Sequence, residues 1–550
     1  MKKKFSLLLV LLLAVSTFLA ACGGDKTDSK KEGAAGGSDK KDEQVLNLAV
    51  GSEIPSMDSA LATDSVSFNV MNSVLEGLYR LGENDEAVLG MAEKEPEISE
   101  DGTKYTFTIR DAKWSNGDPV TAQDFVYGWQ RVVDPKTASE YSYILADVKN
   151  ASKIIAGKAK PEELGIKAEG DKTLVIELNQ PVTYFKELLS FATFYPQNQK
   201  FIEEQGDQYG LEADTAVYNG PFVLSEWNHE QNFKLTKNKD YWDAETVKLE
   251  EVNFNVVKDT TTAVNLYETN KIDTVRLNSE FVDKYKDDEN FNVMGEAAVY
   301  FLRLNQKNEV LANVNARKAF DSAYDKEGMV DVILNNGSVP AYYLVPKDFV
   351  SGPDGTEYRE TAGEAYGSFD ADKAKEYWDK AKKELGIDKA ELTLLNYDDE
   401  NSSKIGEYFK EQLEQHLDGL TVNIKKQPFK QKLKLESDGD YDFSFAGWGP
   451  DYPDPMTFLD MFVTDGGHNQ MAYSNKEFDK KIEQAKGELA GDPEKRWQAM
   501  VDAEKILFDD QAISPIYQRG ASYLQRPYVK NLYRHTFGAD NSFKWTYIEN

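Results

Sequence analysis

Asp440-Tyr-Asp-Phe-Ser-Phe445 runs directly into Ala446-Gly-Trp-Gly-Pro-Asp-Tyr-Pro-Asp-Pro455. The first half alternates polar with aromatic residues, as a strand with one buried face does. The second half cannot continue that pattern. Gly447 and Gly449 bare the backbone on either side of Trp448, and Pro450, Pro453 and Pro455 stiffen the exit. Asp451 is thereby a carboxylate held in a rigid aromatic setting. Bare backbone, an aromatic wall and a fixed anion suit an extended peptide with a free amino terminus. They equally suit a proline-rich surface turn with capping aspartates, and the segment alone does not choose.

Outward from this block, strand-like runs cover 45–50, 105–109, 173–178, 232–236, 252–256, 300–304, 392–395 and 421–424. Apolar residues recur at helical spacing over 122–132, 315–334, 370–385, 404–417 and 492–509. Asp370 and Asp492 stand at N-cap positions, Gly386 at a stop, and Pro493 in a first turn where its missing N–H costs nothing. No Gly/Pro-rich linker divides the chain after residue 45. The pattern predicts an α/β chain with mixed sheets flanked by helices, its domains interleaved rather than strung in series.

The chain opens MKKKFSLLLVLLLAVSTFLAACGG. Three lysines precede an apolar run shorter than the ~20 residues that span a bilayer. Residues 1–21 therefore read as an export signal rather than a permanent helix. Leu19-Ala-Ala-Cys-Gly23 resembles a bacterial lipobox, which implies cleavage before Cys22, acylation of its thiol and a lipid anchor on the outer face of the cell membrane. An ordinary export signal with an incidental cysteine is the alternative. Cys22 is the single cysteine, so the expected fold has no disulfide. Residues 22–44 are Gly-, Ser- and charge-rich without aromatic or branched aliphatic side chains, the composition of a flexible tether.

Lys and Arg number 64 and Asp and Glu 95, a formal net charge of 64 − 95 = −31. Nucleic acid, which needs a basic stripe, is excluded. The four histidines are far apart, outside any metal-ligand spacing, and read as surface or structural residues. Walker A, G-x-S-x-G and G-x-G-x-x-G patterns are absent. No catalytic residue, metal or cofactor is expected. An exported chain of several domains without a catalytic signature points to a binding protein.

Further blocks carry a resemblance. Leu46-Asn-Leu-Ala-Val-Gly-Ser-Glu-Ile-Pro-Ser-Met-Asp58, Asp101-Gly-Thr-Lys-Tyr-Thr-Phe-Thr-Ile-Arg110, Lys113-Trp-Ser-Asn-Gly-Asp-Pro-Val-Thr-Ala-Gln-Asp-Phe125, Tyr218-Asn-Gly-Pro-Phe222, Val314-Asn-Ala-Arg-Lys-Ala-Phe320 and Tyr528-Val-Lys-Asn-Leu-Tyr533 stand in order. With the 446–455 block they resemble the family 5 extracellular solute-binding proteins, and within them the oligopeptide-binding lipoproteins of ABC importers. The resemblance implies a periplasmic-binding-protein-like clamshell of three interleaved lobes: lobe I from 45–65, 198–297 and 521–550, lobe II from 66–197, lobe III from 298–520.

It also implies roles. Asp451 meets the ligand α-ammonium. The backbone of Ala446, Gly447 and Trp448 pairs with the peptide main chain. Trp448 and Phe429 stand at side-chain pockets, and Glu53 lines the opposite wall. Family members suited to short peptides place basic or imidazole groups near the ligand carboxylate, where this chain has Phe445, Glu436 and Ser437. That departure implies longer or apolar ligands whose C-terminus is not fixed at those points. Expected partners are an oligopeptide, ABC permease subunits and the lipid anchor, with the protein a monomer. Two alternatives share much of this pattern: a sensing, pheromone-binding or adhesion lipoprotein that presents peptide without import, and a peptidase or glycosidase on a similar scaffold.

Overall fold

A computed structural model describes residues 43–549 except 364. The expected signal segment, Cys22 and nearly all of the tether lie outside the described residues. From Glu43 onward the chain forms one compact unit.

Following the chain shows how its sheets interleave. Strand β1 (Val45–Val50) begins a sheet and leaves it. The chain then builds a second sheet from β2 (Glu97–Ile98), β3 (Lys104–Thr108), β4 (Ile166–Ala168) and β5 (Thr173–Glu177), in the order β2-β3-β5-β4. It returns with β6 (Phe222–Asn228), β7 (Asn232–Lys237) and β8 (Glu251–Val256), completing the first sheet as β1-β8-β7-β6. The pairing of β1 with β8 is parallel, from Val45↔Glu251 to Val50↔Val256, so residues two hundred apart in sequence share one ladder.

A seven-stranded sheet follows. It takes β9 (Thr274–Arg276), β10 (Phe291–Leu304), β11 (Val339–Pro340), β12 (Ala390–Tyr397), β13 (Leu420–Gln427), β14 (Phe443–Trp448) and β15 (Ile513–Gln525). The order is β9-β15-β10-β14-β12-β13, with β11 added beside β15. The fold is thus α/β with mixed sheets, as the alternation of patterns predicts.

Helices cover the sheets for reasons visible in their sequences. In α1 (Ala122–Val133), Phe125, Val126, Trp129, Val132 and Val133 are buried at the spacing of one helical face. The Asp124 carboxylate turns back to accept the Thr121 N–H at 2.7 Å, closing its first turn. In α2 (Ala371–Leu385) the Asp370 side chain accepts the Lys373 N–H at 3.0 Å, and Gly386 ends the helix in the left-handed region at φ 69°. Ala374, Trp378 and Ala381 form its buried stripe. Helices α3 (Glu400–His416) and α5 (Pro493–Asp509) are capped by Asp399 and Asp492 in the same way, while α4 (Phe429–Asp438) starts after Pro428 without a side-chain cap and ends at left-handed Gly439.

Two expectations need correcting. Residues 315–334 are not one helix. The Asp325 side chain caps the Gly328 N–H at 3.1 Å and starts a new turn, and Met329–Leu334 winds as a wider π-helix. The strand expected at 441–445 is displaced to Phe443–Trp448, because Ala446, Gly447 and Trp448 pair with Phe301, Tyr300 and Val299.

Candidate functional site

The site lies along β14. This strand pairs with β10 over its whole length, from Leu304↔Phe443 to Val299↔Trp448. On its other side β12 meets it only at Phe443 and Ser444. Phe445, Ala446, Gly447 and Trp448 therefore have a ladder on one side only, and Ala446, Gly447 and Trp448 line a cavity. β10 supplies more of the wall by a bulge. Between Gly295↔Gly520 and Val299↔Gln518, three residues of β10 stand against one of β15, and those three, Glu296, Ala297 and Ala298, line the cavity.

The cavity measures about 170 Å³. Ala446, Gly447, Trp448 and Asp451 line one side of it, with Phe429 and Tyr397 stacked at 5.8 Å along another. The turn after β14 is held in three places. The Trp448 indole N–H donates to the Thr457 carbonyl at 2.9 Å, the Asp451 N–H to Thr457 Oγ1 at 2.9 Å, and the Gly538 N–H to the Pro450 carbonyl at 2.8 Å. Gly447 has a steric reason: a Cβ there would lie 2.9 Å from the Tyr300 ring.

Asp451 is 5% exposed. Its Oδ1 accepts the Tyr141 hydroxyl at 3.2 Å, and its Oδ2 has no hydrogen-bond partner among the described residues. Burial pushes the Asp451 carboxyl well above the usual carboxylate range, and nearby Asp460 adds to this. The hydrogen bond from Tyr141 opposes the shift without cancelling it. A buried carboxylate with a free oxygen is costly unless a cation arrives to pair with it. Around it the aromatic wall is continuous: Tyr141 stacks parallel to Trp448 at 6.1 Å and meets the edge of His468 at 4.6 Å.

Two expected residues lie elsewhere. Glu53 does not line this cavity. Its carboxylate accepts the Glu230 N–H and contacts His229 Nδ1, each at 2.5 Å. Phe445 turns away from it, because successive strand residues face opposite sides of the sheet. Ala446 and Trp448 take the cavity face, and Phe445 packs among Tyr300, Phe409 and Tyr517. Glu436 does line the cavity, but its carboxylate is already held by Lys432 Nζ at 2.7 Å and the Ser444 hydroxyl at 2.6 Å. Ser437 donates its hydroxyl to Glu140 at 2.7 Å.

Other cavity residues escape the sequence reading. Asp64, Tyr141, Arg303 and His468 come from four separate stretches. The one local signal is Arg303, a lone cation inside the apolar run Tyr300-Phe-Leu-Arg-Leu304. His468, read from sequence as surface or structural, sits buried in the wall, and desolvation lowers its pKa to about 3, so it is neutral.

Residues 86–470 match the family model for bacterial extracellular solute-binding proteins, family 5 middle. The chain belongs to the family 5 extracellular solute-binding proteins. The substrate-binding domain of an oligopeptide ABC transporter from Bacillus anthracis superposes with a TM-score of 0.91 at 49% identity, covering 92% of this chain and 99% of that one. OppA of Listeria monocytogenes, solved bound to peptide, gives 0.90 at 44% identity over 93% and 100%. The dipeptide-binding protein DppE of Bacillus subtilis is 34% identical over 96% of both chains. The family fold is the periplasmic-binding-protein-like one expected from the resemblance. Among the described residues no helix is long and apolar enough to cross a membrane.

Proposed function

We propose that this protein captures extracellular oligopeptides and hands them to an ABC permease. The peptide α-ammonium pairs with Asp451, and the peptide backbone adds as a strand to the open edge of Phe445–Trp448. Affinity then rests on groups that every peptide shares, which is β-augmentation with a charged end stop. The observation that carries this reading is the unpartnered Asp451 Oδ2 at the end of an unpaired strand edge inside a buried cavity. A carboxyl only 5% exposed cannot be reached by a chain of several residues unless the walls part. Entry therefore requires an open form, and peptide contacts on both walls bias the equilibrium toward the closed one. The lobes proposed to move are I (45–65, 198–297, 521–550), II (66–197) and III (298–520). Acylation of Cys22 tethers the whole to the outer membrane face. The ligand is bound intact, not cleaved.

Native mass spectrometry of the protein incubated with a random hexapeptide library tests this. Bound masses of unmodified peptides with free amino ends are expected, unchanged after long incubation. Absence of any peptide adduct, or equal occupancy by N-acetylated peptides, would contradict it.

A further inference from the structure

Resting on that reading, we infer that Arg303 is a receptor for a peptide carboxylate at the end of the cavity away from Asp451. Arg303 is 5% exposed and lines the cavity. Its Nε and Nη1 have no hydrogen-bond acceptor among the described residues. Glu436 lies close enough for the Arg303 charge to favour its ionised form, but among the described residues no hydrogen bond joins the two. Glu436 is shared between Lys432 and Ser444, and Glu140 between Ser437 and Gln470. A guanidinium offers five donors in a planar fork that matches a carboxylate. Dry N–H groups left without an acceptor are destabilising, so an acceptor from outside the protein fits at Nε and Nη1.

Position in the ladder says which part of the guest it meets. Arg303 stands opposite Ser444, and Val299 opposite Trp448. Four residues at about 3.4 Å each put position 303 about 14 Å along the strand from Trp448. Asp451 lies three residues beyond Trp448, just past the end of β14. β12 closes the edge of β14 at Phe443 and Ser444, so a peptide laid on Phe445–Trp448 with its ammonium at Asp451 leaves the ladder there, and its fourth or fifth residue is the one at the level of Arg303. The carboxylate is then either the C-terminus of a tetra- or pentapeptide, or an Asp or Glu side chain at that place in a longer one. The charge sits on a neighbouring strand, not at the positions of Phe445, Glu436 and Ser437.

Calorimetry on the intact protein separates the possibilities. Alanine tri- to hexapeptides are compared as free acids and C-terminal amides, alongside amidated hexapeptides bearing Asp or Asn at residue four or five. In the wild type, the free acid of the matching length, or the Asp peptide, binds about 10- to 100-fold tighter than its neutral counterpart. In Arg303→Gln and Arg303→Met that preference falls to about unity, and thermal unfolding followed by circular dichroism shows separately that the variants fold. Preference at a single length assigns the C-terminus, and preference for Asp in amides assigns the side chain. Equal binding of charged and neutral peptides by the wild type, or a preference that survives in both variants, would overturn the assignment while leaving peptide binding intact. Failure of every peptide to bind the wild type would remove the peptide reading and this inference with it.

Discussion

Replacing Asp451 by Asn removes one negative charge and little volume. Its consequence for binding follows from the surroundings of the carboxylate. Oδ1 has a weak bond from Tyr141 at 3.2 Å, and Oδ2 has none, so nothing in the fold neutralises the charge. A ligand ammonium placed there makes charge-assisted bonds in a dry setting, each worth about 1.5–3 kcal/mol. Truncating one partner of a buried charged pair costs about 2–5 kcal/mol, because the other charge is left desolvated. At 1.4 kcal/mol per tenfold, Asp451→Asn should weaken a free-amine hexapeptide by about 30-fold to several thousandfold. The fold itself should not suffer. Burial holds the Asp451 carboxyl above its unfolded value, so its charge opposes folding at neutral pH, and the variant should unfold at the same temperature or higher. The assay is calorimetric titration with a hexapeptide and its N-acetyl form. The acetyl peptide should bind wild type and variant alike. An unchanged affinity of the variant for the free-amine peptide would refute the role of Asp451.

Three further outcomes follow. Affinity for free-amine peptides should fall on acidification from a pH above the ordinary carboxylate range, since the raised Asp451 gains a proton that the ammonium must displace; N-acetylated peptides should show no such fall in the same titrations. Asp64, the buried cap of the helix over Ser65–Val74, is raised by burial to about 6 from its usual 3.8, so its ionisation costs stability that is absent below pH 3.8 and complete above about pH 6. At 1.36 kcal/mol per pH unit this is about 3 kcal/mol, and urea unfolding of Asp64→Asn, which keeps the cap, should lose that share of the pH dependence. Gly447→Val should displace the Tyr300 ring, costing about 1–3 kcal/mol in unfolding experiments and weakening peptide binding measured by fluorescence; full affinity with unchanged stability would mean the strand edge tolerates side chains there.

Much of the fold is legible along the chain because its elements are locally determined. The apolar 45–50 strand forms as read, and Asp370, Gly386, Asp492 and Pro493 bound their helices where capping chemistry places them. The strand Ile513–Gln525 is not legible, although it lies inside the large sheet. Pro515 and Gly520 argue against a central strand, and they are accommodated by register shifts that depend on β10. The site divides the same way. Its β14 face is assigned through the family resemblance, since the Gly-Trp-Gly-Pro-Asp order alone suits a surface turn equally, and Asp64, Tyr141 and Arg303 reach the cavity through ladders and packing between segments far apart in sequence, which no local pattern encodes. Glu53 shows the reverse case: a position assigned by resemblance whose carboxylate is taken up by His229 and Glu230.

The most direct test of the central claim is a crystal structure with a free-amine hexapeptide bound. The terminal nitrogen should sit within hydrogen-bond distance of Asp451 Oδ2, and the peptide main chain should ladder onto Phe445–Trp448. A peptide bound with its amino end away from Asp451, or held by side chains with that strand edge unused, would contradict it.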